Sequence, residues 1–165
     1  MTDPVLVRTA QWEDVESLVA FSTALALETE SLSLNQTRLY EGTRSLLAKP
    51  ERGFFIVAQK AVADISRLVG QLMVTFEWSD WRNGVFWWVQ SVYVDPSWRR
   101  QGIYRAMHDY VVAEAKAHPQ VCGIRLYVER NNRTAQTVYQ RVGLFPSVYT
   151  VYEQDFVLER DRIKS

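Results

Sequence analysis

The sequence predicts one α/β (α+β) domain, residues 1–165, in which helices cover a mixed sheet. Three observations predict it. Strand-like and helix-like periodicities interleave along the chain. One run, Val85–Val94, is apolar at nearly every position, as expected of a central strand covered on both faces. Finally, 165 residues with 47% hydrophobic and 23% charged side chains suit a single core, and no repeat, low-complexity tract or Pro/Gly/Ser-rich linker divides them.

The elements follow in order. Val5–Ala10 reads as a short first strand. Val15, Leu18, Val19, Ser22, Leu25 and Ala26 then keep helical spacing, with Glu13, Asp14 and Glu16 placed where negative charge favours a helix start. A second helix runs from about Gln36 to Ala48 and ends before Pro50. Gly53–Gln59 and Leu68–Trp78 are strands, and Asn83-Gly84 is a hairpin signal before the central run. Strict alternation in that run puts Phe86, Trp88, Gln90, Val92 and Val94 on one face, and Val85, Trp87, Val89, Ser91 and Tyr93 on the other. From Ile103 the period turns helical, through Ala106, Met107, Tyr110 and Val111. Cys122–Val128 is a strand, and Ala135, Val138, Tyr139 and Val142 mark a last helix closed by Gly143 and Pro146. Ser147–Leu158, "SVYTVYEQDFVL", reads as closing the sheet.

The formal net charge is zero, so no nucleic-acid partner is expected. The N-terminus lacks a basic then apolar leader pattern, and no apolar run approaches the ~20 residues that span a bilayer, so no membrane partner is expected. Cys122 is the one cysteine, which points to a reducing, cytoplasmic setting. No metal is expected. His108 and His118 read as surface or capping residues, and Cys122 as core.

The chemistry concentrates where the central strand hands over to a helix, in "VYVDPSWRRQGIY" (Val92–Tyr104). A helix N-terminus leaves N–H groups unpaired and attracts anions. Gly102 lets a ligand approach the backbone, and Arg99 and Arg100 add charge, so a diphosphate is the natural guest; an ordinary basic turn is the competing reading. The spacing fits neither a P-loop nor a dinucleotide fingerprint. Further on, Asn132 stands at a strand-to-helix junction and Tyr139 follows seven residues later. At ~100° per residue those two share a helix face, ~10 Å apart along the axis, and can line one elongated ligand. Tyr139 also reads as a core aromatic.

Together these stretches resemble the GNAT family of acyl-CoA-dependent N-acetyltransferases, over about Val5–Phe156 and most strongly over Phe86–Phe145. The family's Gln/Arg-x-x-Gly-x-Gly/Ala signature is here Arg99-Arg100-Gln101-Gly102-Ile103-Tyr104. Its Asn-x-x-Ala-x-x-x-Tyr pattern runs from Asn132 to Tyr139, and its Gly-Phe ending is Gly143-Leu144-Phe145, with one extra residue. Tyr104 departs from the usual Gly or Ala; the N–H survives, and the phenol either narrows the groove, bonds a phosphate oxygen or simply packs there.

The resemblance implies a mostly antiparallel sheet of about six to seven strands with about four helices. It implies acetyl-CoA as cosubstrate, held by Arg99, Arg100, Gln101, Gly102, Ile103, Tyr104 and Asn132, with its pantetheine arm along Val92, Tyr93 and Val94. An acceptor amine would attack the thioester directly, and Tyr139 would protonate the departing thiolate. For the general base, Trp88 and Gln90 stand where some members carry a carboxylate, so Glu77 and Asp80 are the nearest candidates. A water chain ending on backbone carbonyls is an equal one, and Asp80 pairing with Arg82 in the turn would leave Glu77 solvated. Trp78 and Trp81, with Asp80, Trp88 and Gln90, are candidates for an acceptor site suited to an amine with an apolar portion. The expected partner is a small-molecule or peptide amine, and a homodimer is compatible with the reading. A non-catalytic coenzyme A-binding module and a partner-binding protein stand as alternatives.

Overall fold

The computed structural model describes residues 4–62 and 65–158. Five strands form one sheet in the order β1-β2-β3-β4-β5: Leu6–Thr9, Gly53–Val62, Ile65–Ser79, Gly84–Val94 and Val121–Leu126. β1 to β4 are mutually antiparallel, and β5 joins β4 in parallel through α3, Ile103–Ala117. α1 (Val15–Glu30) and α2 (Gln36–Leu47) precede β2, and α4 (Arg133–Arg141) follows β5.

Each face of the sheet has its own core. Ile56, Leu72, Val74, Trp87 and Val89 pack on Ile103, Met107 and Val111 of α3. Phe55 and Val57 pack on Leu18 of α1 and Leu46 of α2. Each such side chain contributes roughly 1.5–3 kcal/mol by burial. Asp14 is buried at the head of α1 and accepts two bonds from Arg8, at 2.7 and 3.0 Å, and one from the Gln11 N–H at 2.7 Å. It therefore pins β1 to α1 as well as favouring the helix dipole.

Three expectations need correction. The described sheet has five strands rather than six to seven, because Ser147–Leu158 forms no strand and lies largely exposed. The alternation along β4 breaks. The register with β3 shifts between Gln71 and Met73, and Ser91 has φ 51°, so an extra residue bulges out there. Past the bulge, Val92 and Val94 join Trp87 and Val89 on the α3 face, whereas Tyr93 turns to the α1 side and stacks on Phe21 at 5.3 Å between ring centres. Last, His108 is buried, not superficial: it sits on α3 with its ring 5.9 Å from that of Tyr104 and the Val142 backbone nearby. Burial holds its imidazole below the usual histidine range.

Candidate active site

The bulge shapes the site. β4 stays paired with β3 as far as Gly70↔Val94, but its pairing with β5 ends at Val89↔Leu126. Beyond that point, no strand among the described residues pairs with the other edge of Gln90–Val94, so backbone donors and acceptors face a gap. Gln71, fully buried, holds the bulge: its amide donates to the Ser91 carbonyl at 3.3 Å and to the Ser22 hydroxyl of α1 at 3.0 Å.

The loop from β4 to α3 follows. Arg100 has φ 63° and Gly102 has φ 79°. The first bond of α3 runs from the Ala106 N–H to the Gly102 carbonyl at 2.9 Å, so the N–H groups of Ile103, Tyr104 and Arg105 lie in a first turn that supplies them no acceptor. A Cβ placed on Gly102 would meet nothing within 4 Å, which marks open space in front of these donors. The two arginines differ. Arg99 is committed: its guanidinium makes a paired contact with Glu28 at 2.6 and 2.7 Å, its Nε donates to the Val94 carbonyl at 2.9 Å, and it lies over the Tyr93 ring. Arg100 and Gln101 are exposed, and the Gln101 amide reaches the Ser97 carbonyl at 3.3 Å.

α4 stands beside the start of α3. Asn132 is its N-cap, with Oδ1 accepting from the Ala135 N–H at 3.0 Å. Gly143, at φ 89°, ends it, with the Leu144 N–H bonding the Tyr139 carbonyl and the Gly143 N–H that of Gln140. Between these caps Tyr139 meets the Tyr104 ring edge-on at 5.5 Å. Burial raises both phenols above the usual tyrosine range, so both keep their protons at neutral pH. The Tyr104 hydroxyl is fully buried with no hydrogen-bond partner, an orphan that a ligand could satisfy.

On the opposite face, a cleft of about 450 Å³ is lined by Thr75, Glu77, Trp88, Gln90, Tyr127, Val151 and Tyr152. Trp88 stacks on Tyr127 at 4.6 Å. Glu77 holds the floor, with Oε1 on Arg125 at 2.6 Å and Oε2 accepting from the Trp88 indole N–H at 2.9 Å. Arg125 in turn lies 3.6 Å from the centre of the Phe86 ring, which itself fills the space a side chain at Gly123 would take. Glu77 is thus paired, with its side chain 44% exposed. Asp80 accepts from the Trp81 N–H, and Arg82 lies over Phe86 at 4.9 Å.

The structure therefore brings Glu77, Trp88 and Gln90 into one cleft. Trp78 lies on the other face of β3, 60% exposed, while Asp80 and the 83% exposed Trp81 occupy the turn; none of the three lines that cleft. Arg125, Tyr127, Val151, Tyr152 and Glu28 were not singled out from the sequence. For Arg125 a signal exists: one cation in the otherwise apolar strand Val121–Leu126 implies an anion across the sheet. Among the described residues no group of three or more His, Cys, Asp or Glu side chains could hold a metal, and no helix is long and apolar enough to cross a membrane.

A sheet forked at a β4 bulge, with a helix N-terminus after it, defines an acetyltransferase-type fold. The model of the acetyltransferase (GNAT) family matches residues 12–144, and the chain belongs to that family. A possible acetyltransferase from Clostridium difficile is 36% identical, with a TM-score of 0.83 over 93% of this chain and 99% of that one. Two more distant structures share the fold. A predicted acetyltransferase from Clostridium acetobutylicum, solved with acetyl-CoA, has 19% identity and a TM-score of 0.73, over 92% of this chain and 96% of that one. Glucosamine-6-phosphate N-acetyltransferase from Arabidopsis thaliana has 13% identity and a TM-score of 0.70, over 92% and 99%. No curated protein sequence matches the chain.

Proposed function

We propose that the chain, as one domain, transfers an acetyl group from acetyl-CoA to the amino group of a small-molecule or peptide acceptor. The observation that carries this reading is the coincidence of an unpaired β4 edge, Gln90–Val94, with the open, donor-rich start of α3 at Gly102. An extended amide-containing arm ending in a diphosphate suits both, and the orphaned Tyr104 hydroxyl adds a donor beside them. Val92, Tyr93 and Val94 would hold the arm by backbone bonds. The N–H groups from Gln101 to Tyr104, with Arg100, would hold the diphosphate, and Asn132 and Tyr139 would line the coenzyme from α4. Arg99 serves this site by fixing the loop, since three of its five N–H donors are bonded to Glu28 and Val94.

When bound, acetyl-CoA supplies an acetyl group activated as a thioester. Tyr139, kept protonated by burial, supplies a proton at its phenolic oxygen to a leaving thiolate. On the other face, Glu77 attracts an acceptor ammonium, and each of its oxygens retains a lone pair beyond its bond to Arg125 or Trp88. Those lone pairs can accept hydrogen bonds from the ammonium and orient it, and Glu77 or a water chain ending on backbone carbonyls would then take its proton. Trp88, Tyr127 and Tyr152 give the cleft aromatic walls, so an amine with an apolar or aromatic portion fits it best. Trp78, Asp80 and Trp81 would touch only an acceptor long enough to reach the β3–β4 turn.

One observation favours a second reading, a coenzyme A-binding module without catalysis: Glu77 is already neutralised by Arg125. Thiol release from acetyl-CoA across a panel of alkyl- and arylalkylamines decides. Amine-dependent release with stoichiometric N-acetylation supports the enzyme. Tight coenzyme binding without release from any amine, peptide amines included, supports the module.

A further inference from the structure

The first half of α3 turns an apolar stripe to the sheet, through Ile103, Met107 and Val111. The second half breaks it. Tyr110, Glu114 and His118 follow one another four residues apart, which places them one above the other on a single side of the helix. Tyr110 packs against the core on this face of the sheet, so the line runs toward the sheet and not into open water. Between it and the strands lies a cavity of about 540 Å³, lined by all three. Small-molecule sites usually measure roughly 300–1,000 Å³. Its sheet side is aromatic. The Phe54, Phe76 and Trp87 rings form one cluster, with centres 5.1, 6.1 and 6.3 Å apart, and the His118 ring lies 5.6 Å from that of Trp87. Val85 lines the cavity as well, and the exposed Trp78 pairs directly across from it on the same face, which continues the aromatic surface outward.

The charge of this cavity is one-sided. The Glu114 carboxylate is half-buried and makes no hydrogen bond or ion pair among the described residues, and no lysine or arginine lines the space. His118 Nδ1 lies 2.7 Å from the Glu114 carbonyl. A carbonyl only accepts, so Nδ1 carries the proton, and the neutral ring offers Nε2 as a further acceptor. The faces of the surrounding rings are negative too. A carboxylate taken partly out of water without a partner is a cost. A cation offsets that cost, and aromatic faces attract the same charge. A neutral or anionic guest would leave Glu114 as it is.

We propose that this cavity is a second ligand site, which binds a small organic cation with its ammonium at Glu114 and its apolar or aromatic body against Phe54, Phe76 and Trp87. It is separate from both surfaces of the proposed reaction. The acceptor cleft lies on the other face of the sheet, lined by Trp88 where this cavity is lined by Trp87. Gly102 stands at the opposite end of α3, about 18 Å from Glu114 along the helix axis. The site needs neither the coenzyme nor the transfer, so it stands or falls apart from the activity proposed above.

The test uses the full chain without acetyl-CoA, and benzyltrimethylammonium as the probe, a cation with no N–H to acetylate. Heteronuclear NMR follows the assigned indole N–H resonances, of which Trp87 reports on this cavity and Trp88 on the acceptor cleft. The Trp87 resonance should shift saturably with the probe. Glu114→Gln keeps the size of a side chain that lies outside the buried core, so its circular-dichroism spectrum should match wild type. It should weaken the Trp87 titration about fivefold or more, the scale of one partly exposed charge pair, while Glu77→Gln leaves that titration unaltered. Neutral 2-phenylethanol should bind more weakly than the cation by a similar factor. No saturable Trp87 shift, equal affinity in Glu114→Gln, or equal affinity for 2-phenylethanol would each overturn the proposal. So would a shift confined to Trp88, which would put the cation in the acceptor cleft. A Trp87 shift that follows protein concentration instead of probe would overturn it as well, since a second copy of the chain would then cover the cavity.

Discussion

Glu28→Gln separates two roles for Arg99. Glu28 closes α1 and holds the Arg99 guanidinium through two bonds of 2.6 and 2.7 Å. The hydrogen bond from Arg99 outweighs burial and keeps the Glu28 carboxyl below the usual range, so the pair is intact throughout neutral pH. Its side chains are 39% and 45% exposed, so solvent screens it; even with paired geometry it is worth at most ~1 kcal/mol. At this chain length that is about 2–4 °C in Tm. Arg99 has two further anchors, the Val94 carbonyl and the Tyr93 ring, so the loop should loosen rather than unfold. If Arg99 holds the loop in shape for the diphosphate, acetyl-CoA affinity should fall by up to ~5-fold, the equivalent of ~1 kcal/mol. If Arg99 is instead a phosphate ligand that Glu28 restrains, releasing it should tighten binding. Calorimetry on wild type and variant at two salt concentrations reads the sign. A rise in affinity refutes the positioning role of Arg99.

Tyr139→Phe keeps the ring against Tyr104 and loses one hydroxyl, so Tm should move by no more than about 2–4 °C; turnover should fall ~10²-fold or more, and an unchanged kcat with a true acceptor removes Tyr139 as the acid. Tyr104→Phe deletes a buried hydroxyl that has no partner, so the free protein should be as stable as wild type or more so, by up to ~1–3 kcal/mol, while acetyl-CoA binding weakens; equal affinity would show that the phenol only packs. Gly102→Val forces a β-branched residue to φ 79° and adds bulk in the open space before α3, and calorimetry should find acetyl-CoA weakened more than ~10-fold in a folded variant. His108 is held below its usual range by burial, with Arg105 lowering it further and Asp109 and the Val142 carbonyl raising it. The unfolded chain therefore binds the proton more readily, and stability present above pH ~6.5 should be lost as pH falls below it; His108→Gln should flatten urea-midpoint stability between pH 7 and 5, and an unchanged slope would remove His108 as the cause.

The elements were legible because their periodicities are strong and their end signals local. Gly143 and Pro146 announced the end of α4, and Asn132 its start, through bonds made within a few residues. Ser147–Leu158 misled for the opposite reason. Its composition is that of a strand, but a strand needs a neighbour, and composition does not say which strand, if any, supplies it. The candidate site divides in the same way. The loop from Arg99 to Tyr104 could be located because helix N-termini and glycines act locally. The company of Glu77 could not, because Arg125 and Trp88 reach it from β5 and β4, distant in sequence.

The bulge at Ser91 shows how a small local irregularity controls the rest. A serine at φ 51° costs on the order of 1 kcal/mol, and nothing in its own side chain repays it. What holds it is Gln71, a fully buried amide on the neighbouring strand that bonds the Ser91 carbonyl and reaches Ser22 on α1. Removing that amide would take away the side-chain donor on the Ser91 carbonyl and the link to α1. Without the extra residue, strict alternation would return Tyr93 to the α3 face and carry Val92 and Val94 away from Ile103. β4 would then have no reason to part from β5 after Val89, and the gap would close. The polar pair Gln90-Ser91 inside an apolar run is the trace of this in the sequence. In a central strand, such a break marks the point where the backbone, rather than the side chains, is made available to a ligand.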